Sequence, residues 1–405
     1  MTDTDKTLAL IMVSIVLLSL FPVAGYLAIV VLISRYIRPY QLNSLFSIIK
    51  NDPWLIYLLG AFGLSFLFTR QHFASLVGII VFGLQVSLFL IIRSRLKDRH
   101  ENFNIINYLL VTSLVVSCFG IFQFYVLAPV NPDWLDQDLY RNISSRAFST
   151  LYNPNVLGSY LILIVSIAFT GFEFSTGKYK KLLLALVAVA GSICMALTFS
   201  RGAWLGLAVS LLIIFIFSKR KRYILIMLGA AALLMLPELK TIISRINLDF
   251  LSSDSSNVYR WYLWKTAINT FLEHPFFGGG IGSFGFFIPA HFKAPGYLIS
   301  HAHNIYLQLL AETGIFGFTA FLGYIINAMY ICYKVFRHSS CRQTRSICLG
   351  VLASSAGVLV HGAVDATLYL PQFSIFVWIL IAVARNLGDL ELAGRTSVRT
   401  QNFSA

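Results

Sequence analysis

The chain has 405 residues, of which 57% are hydrophobic, and its formal net charge is +14. A soluble globule could not bury so much apolar surface, and long apolar runs recur along the sequence. The composition therefore predicts an all-α, polytopic membrane protein that is surrounded by a lipid bilayer. The positive charge is explained by Lys and Arg retained in cytoplasmic loops, so we expect no nucleic-acid partner.

Twelve apolar segments are candidate transmembrane helices, although several are shorter than the ~20 residues that span a bilayer squarely. They lie at about 7–20, 22–34, 53–68, 73–92, 104–127, 156–172, 181–198, 203–217, 222–237, 316–336, 346–363 and 372–387. The first two are separated only by Phe21 and Pro22, and they form either two spans or one kinked helix.

The basic residues orient these spans. With the N-terminus in the cytoplasm, 22 of the 31 Lys and Arg residues fall in inner loops. The clusters RSRLKDR, SKRKR and KVFRHSSCRQTR all fall inside, as the positive-inside rule requires. We therefore predict that both termini are cytoplasmic. None of the five cysteines falls in an outer loop, so we expect no structural disulfide.

This topology divides the chain into five regions. They are N-terminal transmembrane helices (1–127), transmembrane helices whose outer turns carry Arg146 and Arg201 (128–237), a large extracytoplasmic loop (238–303), C-terminal transmembrane helices (304–388) and a cytoplasmic tail (389–405). Within the large loop, YRWYLWKTAINTF at 259–271 has helical spacing and an aromatic face. That pattern predicts a helix at the level of the lipid headgroups.

Three arginines in predicted outer segments are candidates for binding an anionic substrate. Arg201 lies in a very short turn between two apolar segments. It either snorkels to the headgroups or binds a phosphate or pyrophosphate through bidentate hydrogen bonds. Arg260 opens the aromatic helix, and it is either a surface residue or a second cation for the same anion. Arg146 lies close to a membrane entry and is the weakest of the three candidates.

Residues 300–318, SHAHNIYLQLLAETGIFGF, concentrate polar side chains at the mouth of an apolar helix. If Ser300 caps this helix, His303 lies in its first turn. A neutral imidazole suits a general base because its pKa lies near the working pH, and the alternative is a structural role. Glu312 is nine residues further on, and we expect it to pack the helix or anchor a loop. His301 forms an H-x-H pair with His303, but zinc needs three or four convergent ligands, so we expect no metal.

Two further motifs allow more than one interpretation. GGGIGSF at 278–284 looks like a phosphate-binding loop, but it follows no predicted strand and lacks the Lys-Ser/Thr of a P-loop, so a tight turn is expected. His361 and Asp365 lie four residues apart near the outer end of the eleventh span. They either form a structural pair or close the floor of an active site.

The stretch HAHNIYLQLLAETGIFG resembles the signature of the O-antigen ligase and O-antigen polymerase superfamily. That signature is a His followed by a polar residue and then by spaced Leu, Glu, Gly and Gly. Here these positions are His303, Asn304, Leu307, Glu312, Gly314 and Gly317. FSRGAWLGL, RWYLWKTAINTFLEHPFFGGGIGSF and HGAVDATLYLPQ are similar to other elements of the family. The resemblance runs over about 140–380, and the N-terminal third is similar only in hydropathy.

The resemblance implies a GT-C-like integral-membrane glycosyltransferase that is inverting, metal-independent and without a cofactor. Its partners would be a glycan donor on undecaprenyl pyrophosphate and a glycan or lipid-linked acceptor, at the outer face of the bacterial plasma membrane. Arg201 and Arg260 would hold the pyrophosphate, and His303 would deprotonate or orient the acceptor hydroxyl. Three other candidates for substrate binding are Arg146, Asn304 and His301. Three candidates for a supporting role are Glu312, Asp365 and His361.

Several functions remain open at this level. A ligase transfers the glycan to lipid A–core or another final acceptor, whereas a polymerase transfers it to another lipid-linked repeat. Polymerisation is slightly preferred because no feature marks a lipid A acceptor. Relatives of the superfamily have been named bicarbonate transporters, but the polar residues cluster on one face and form no chain through the midplane. A non-catalytic protein of envelope assembly is a third alternative.

Overall fold

The computed structural model describes residues 3–36, 39–127, 145–218, 225, 255–289 and 301–403. Within these ranges the chain is almost entirely helical and forms no strand. The helices are α1 (Asp3–Leu20), α2 (Pro22–Tyr36), α3 (Pro39–Lys50), α4 (Pro53–Phe68), α5 (His72–Arg95), α6 (Arg99–Phe122), α7 (Pro154–Phe174), α8 (Lys178–Leu197), α9 (Arg201–Phe217), α10 (Ser255–Glu273), α11 (Phe284–Phe287), α12 (Ile305–His338), α13 (Arg342–Gly362) and α14 (Pro371–Phe403).

The helices confirm an all-α polytopic membrane protein. Among the described residues, seven helices are long and apolar enough to cross a membrane, namely α5, α6 with its π-helical extension to Leu127, α7, α8, α12, α13 and α14. Four shorter apolar helices are α1, α2, α4 and α9. The predicted segments therefore coincide with helices, except that 222–237 lies almost wholly outside the described residues. The inner segment 35–52, which the sequence assigned to a loop, contains the additional helix α3.

The first apolar stretch is two helices that fold back on each other, and not one kinked helix. Gly25 of α2 packs so tightly on α1 that a Cβ there would lie 2.5 Å from the backbone nitrogen of Leu18. Pro22 opens α2, where the N–H that proline lacks would have no partner within the helix. The two helices have 18 and 15 residues, and they pack against α6 and α5 respectively.

Small residues bring the central helices together. α13 packs against both α7 and α9. A Cβ on Gly206 of α9 would lie 2.5 Å from the carbonyl oxygen of Gly357 in α13. In addition, the Ser210 hydroxyl donates a hydrogen bond to the Ala353 carbonyl, 2.9 Å away. Small residues allow such close backbone approach in a bilayer, where little hydrophobic force drives helices together. The contact aligns the start of α9 with the end of α13.

The two ends of the bundle differ in character. At one end, Arg93 forms a salt bridge with Asp389 at 2.8 Å, and Arg99 forms one with Glu391 at 2.9 Å. The basic segments 93–99 and 334–345, which the sequence predicts to be cytoplasmic, meet here, because Glu391 also accepts a hydrogen bond from the Ser339 hydroxyl at 2.7 Å. The opposite end carries the starts of α7, α9, α12 and α14 and the end of α13. The candidate site residues lie at that opposite end.

The described part of the large loop packs on α12. In α10, the side chains of Leu263 and Ala267 are buried in a small second core, whereas Trp261 and Ile268 are exposed. The aromatic side chain of Trp261 therefore points away from the protein. The remainder of the predicted loop, 238–254 and 290–300, lies outside the described residues.

Candidate functional site

Backbone strain marks the segments that converge at this end of the bundle. The described non-glycine residues with positive φ are Ser149, Tyr152, Phe199 and His303. They lie in three connecting segments, those after Arg146, before Arg201 and before α12. Left-handed backbone is uncommon for non-glycine residues, and it persists where the surrounding structure enforces it, often at functional sites.

His303 and Asp365 form the centre of the cluster. Nδ1 of His303 lies 3.5 Å from Oδ2 of Asp365, although 62 residues separate them in sequence. The Asp365 side chain is only 4% exposed, whereas that of His303 is 25% exposed and accessible to a substrate. A proton on Nδ1 that faces the carboxylate leaves Nε2 as the basic nitrogen. The pair therefore has the arrangement of a general base and the residue that orients it.

The start of α12 differs from the expectation. The helix begins at Ile305, and Asn304 is its N-cap, so His303 lies before the first turn and not within it. The Asn304 Oδ1 accepts hydrogen bonds from the backbone N–H groups of Tyr306 and Leu307, at 2.9 and 3.1 Å. Its Nδ2 donates to the carbonyl of Ala363 at 2.9 Å. The amide therefore ties the start of α12 to the segment that carries Asp365, and Ser300 lies outside the described residues.

A chain of hydrogen bonds leads from Asp365 to Arg146. Nδ2 of Asn155 donates to Oδ2 of Asp365 at 2.6 Å, and its Oδ1 accepts from Nη2 of Arg146 at 3.2 Å. Nε of Arg146 donates to the carbonyl of Thr198 at 2.7 Å. Arg146 is buried. The structure therefore places this arginine behind the carboxylate, where it supports the site and joins the segment before α7 to the segment before α9.

The charge of Asp365 follows from its neighbours. Burial by itself raises the pKa of the Asp365 carboxyl. The imidazole of His303, the hydrogen bond to it, and the nearby His301 and His361 together lower that pKa by more than burial raises it. The net effect is that the pKa of Asp365 lies below its ordinary value. Asp365 is thus a buried carboxylate anion that can hold a proton on Nδ1 of His303.

His361 does not pair with Asp365 through its side chain in the described contacts. Its Nδ1 lies 2.7 Å from the hydroxyl of Ser159, and that hydroxyl lies 2.6 Å from Thr367 Oγ1. Asn155 and Ser159 are four residues apart on α7, and they face Asp365 and His361, which are also four residues apart. Sequence reasoning missed Asn155 and Ser159, although this matched spacing on two helices was a signal.

His301 lies beside His303, with 4.4 Å between the ring centroids. Burial, followed by repulsion from the imidazole of His303, lowers the pKa of His301 to about 4. A neutral imidazole can accept a hydrogen bond or bind a metal ion. Ligand atoms of His301, His303 and Asp365 all lie within 4.8 Å of one another, so these three residues could hold a metal. Asp365, which is 62 residues from His303 in sequence, thus supplies a third ligand beside the H-x-H pair.

The two other arginines border the histidines. Arg201 is the first residue of α9, and a Cβ on the adjacent Gly202 would lie 2.8 Å from Cδ2 of His361. The charge of Arg260, on α10, contributes to the lowered pKa of His301. The N-terminus of a helix is itself electropositive. These positive charges make this side of the cluster a candidate anion site.

Glu312 belongs to the neighbouring glycine-rich loop. Its carboxylate accepts hydrogen bonds from the backbone N–H groups of Gly282 and Phe284, both at 2.9 Å, and from the Tyr369 hydroxyl at 3.2 Å. Gly278 has a φ of +71°, and a Cβ there would collide with the backbone of Glu312. The loop GGGIGSF is thus a tight turn locked onto α12, and Glu312 fixes it in place.

Fold and site together define a polytopic membrane protein that carries a histidine–carboxylate cluster flanked by arginines at one end of its bundle. Residues 184–322 match the family model described as O-antigen ligase, which confirms the resemblance to the O-antigen ligase and polymerase superfamily. The matched segment contains Arg201, Arg260 and His303 and ends before Asp365. A search of curated proteins finds no match to the chain. The family supports a ligase- or polymerase-type function and, with the apolar helices, suggests a bacterial inner membrane protein.

Proposed function

We propose that this protein is a glycosyltransferase that moves a saccharide from undecaprenyl pyrophosphate to an acceptor hydroxyl at the outer face of the bacterial plasma membrane. The observation that carries the proposal is the pairing of His303 with the buried carboxylate of Asp365, beside Arg201 and Arg260. The charge distribution supports cytoplasmic termini, because the basic segments 93–99 and 334–345 meet at the end of the bundle that lies opposite this site.

In the proposed reaction, His303 acts as general base. Asp365 holds the proton on Nδ1, and Nε2 takes the proton of the acceptor hydroxyl as its oxygen attacks the anomeric carbon. Attack from the face opposite the leaving pyrophosphate breaks the bond to the donor phosphate and inverts the configuration. A positioned base contributes about 10²–10⁴-fold to such a step.

The arginines serve the leaving group. Pyrophosphate gains negative charge as the glycosidic bond breaks, and Arg201 and Arg260 offset that charge. Guanidinium groups bind phosphate oxygens in bidentate fashion and cannot lose their charge. These fixed cations would fill the role that Mg²⁺ has in many phosphate sites, which supports a metal-independent reaction.

An apolar cavity next to the cluster suits part of the donor lipid. It has a volume of about 390 Å³ and lies among α4, α5, α12 and α14. Val77, Phe321 and Trp378 contribute to its apolar wall. Ile305, the first residue of α12, also lines it, so a segment of isoprenoid chain there would contact the start of the helix that follows His303.

Replacement of His303 tests the proposal. The His303→Ala variant should abolish glycan transfer by purified protein, while the matched change His100→Ala, at an exposed histidine of the opposite end, should leave transfer unchanged. Normal transfer by His303→Ala would reject the proposal.

The acceptor is tested separately. We favour polymerisation, for which purified protein with lipid-linked repeats alone should give a ladder of products. No product until a core lipid is added would reject the polymerase and favour the ligase.

A further inference from the structure

The geometry of His301, His303 and Asp365 approaches that of a metal site. Tetrahedral zinc with bonds of about 2.0–2.1 Å places its ligand atoms about 3.3 Å apart. Nδ1 of His303 and Oδ2 of Asp365 are already 3.5 Å apart. The three ligand atoms all lie within 4.8 Å of one another, so small side-chain rotations would bring them into the coordination sphere of one ion.

We propose that His301, His303 and Asp365 form a binding site for a divalent transition metal of the Zn²⁺ type, and that metal bound there inhibits the protein. Metal on Nδ1 of His303 displaces the proton from that nitrogen, so the neutral imidazole carries its proton on Nε2 and loses the lone pair that the transfer reaction needs. The inhibition, but not the binding, rests on the function proposed above.

The donor set selects the class of metal. Two imidazoles and one carboxylate suit Zn²⁺, Cu²⁺ or Ni²⁺, whereas Mg²⁺ and Ca²⁺ prefer sites made of oxygen atoms. Three protein ligands leave a fourth position for water, as in open zinc sites. The 25% exposure of the His303 side chain gives an ion access to the cluster.

Hydrogen bonds from neighbouring side chains support the carboxylate ligand. Asn155 donates to Oδ2 of Asp365 at 2.6 Å and is itself held by Arg146. Hydrogen bonds of this kind orient metal ligands, and their loss typically weakens metal affinity by about 10–100-fold. The site is therefore preorganised on the side of Asp365.

Nearby charge sets the strength of binding. Arg260 acts electrostatically on His301, and Arg201 starts the helix that packs against His361. These cations oppose a divalent ion. The site therefore binds metal reversibly and releases it to a chelator, which distinguishes an inhibitory site from a resident cofactor.

Binding is tested on the full-length protein in detergent, with Zn²⁺ by isothermal titration calorimetry and with Co²⁺ by visible absorption. We expect one Zn²⁺ per chain and a Co²⁺ spectrum of four- or five-coordinate nitrogen and oxygen ligation that Zn²⁺ abolishes. His301→Ala and the similarly sized His301→Gln should each weaken Zn²⁺ affinity at least tenfold, as about 10–100-fold losses are found even for outer-shell changes. Equal affinity in wild type and in either folded His301 variant would overturn the site, and His100→Ala is the control that should bind as wild type does.

Inhibition is tested with wild type in the glycan-transfer assay. Zn²⁺ should inhibit in the concentration range in which it binds, EDTA should restore the rate, and Mg²⁺ should have no effect. Transfer that continues with Zn²⁺ bound at the cluster would overturn the inhibition, and it would also contradict His303 as the base. Active protein that binds no Zn²⁺ would overturn the metal site alone.

Discussion

Replacing Asp365 by Asn tests how the site sets the protonation of His303. Asparagine keeps the size of the side chain, and its carbonyl can still accept the hydrogen bond from Asn155. What it loses is the buried negative charge 3.5 Å from Nδ1 of His303. The imidazole then no longer has a strong acceptor for a proton on Nδ1, and the tautomer with the proton on Nε2 competes. That tautomer cannot take a proton from the acceptor hydroxyl.

The magnitude follows from the role of the base. A positioned general base is worth about 10²–10⁴-fold, so Asp365→Asn should lower kcat by up to that factor. This loss corresponds to about 3–5 kcal/mol of transition-state stabilisation at 1.36 kcal/mol per tenfold change. KM for the lipid-linked donor should change little, because the described contacts of Asp365 are with the base and its supporting residues.

Initial rates of transfer at varied donor concentration separate these outcomes. Asp389→Asn is the matched control, because its side chain is 65% exposed in a salt bridge at the other end of the bundle. The double variant Asp365→Asn/His303→Ala should be no slower than His303→Ala alone, since residues that act as a unit are not additive. An unchanged kcat for folded Asp365→Asn, or a loss confined to KM, would refute the reasoning.

Three further predictions address the anion site, the packing and the topology. Arg201→Ala should slow transfer by about 10²–10³-fold, with partial recovery in Arg201→Lys, and rates within threefold of wild type would contradict a role at the leaving group. Gly206→Ala should destabilise the folded protein by about 1–3 kcal/mol, because the added Cβ would lie 2.5 Å from a carbonyl oxygen. Gly83→Ala is the control, because its Cβ would have no neighbour within 4 Å. Equal melting temperatures of the two variants would contradict this prediction. Tyr152 and Tyr179 are 64% and 87% exposed at opposite ends of the bundle. In a cysteine-free background in intact cells, a membrane-impermeant maleimide should therefore label Tyr152→Cys and not Tyr179→Cys. The reverse pattern would show the opposite topology.

Hydropathy and motif spacing predict much of the fold and part of the candidate site. Apolar runs of about 20 residues report helices locally, which is why the span boundaries agree with the helices within a few residues at most positions. The polar residues of 300–304 and the arginine after Ser200 stood out for the same reason, because polar groups near apolar helices are costly. These signals depend on short stretches of sequence.

The contacts that organise the site are not local. Asp365 meets Asn155 across 210 residues and His303 across 62 residues. No local pattern in the sequence indicates such partners, so the contacts of Asn155 with Asp365 and Arg146 could not be predicted. Likewise, His303 has left-handed backbone directly before Asn304, which caps α12 and is tied to Ala363. Sequence spacing alone placed this histidine one turn too far into the helix.

The direction of the hydrogen-bond chain gives Arg146 a role that does not require contact with substrate. A guanidinium group only donates, so Nη2 of Arg146 requires the oxygen of the Asn155 amide on its own side. This orientation turns Nδ2 of Asn155 toward Asp365, where it donates to Oδ2. In the proposed mechanism, the same Oδ2 accepts from Nδ1–H of His303, so Nε2 is the nitrogen that takes the proton of the acceptor. In that mechanism, a residue that cannot lose its proton orients an amide and a carboxylate, and through them the tautomer of the base, before any substrate binds.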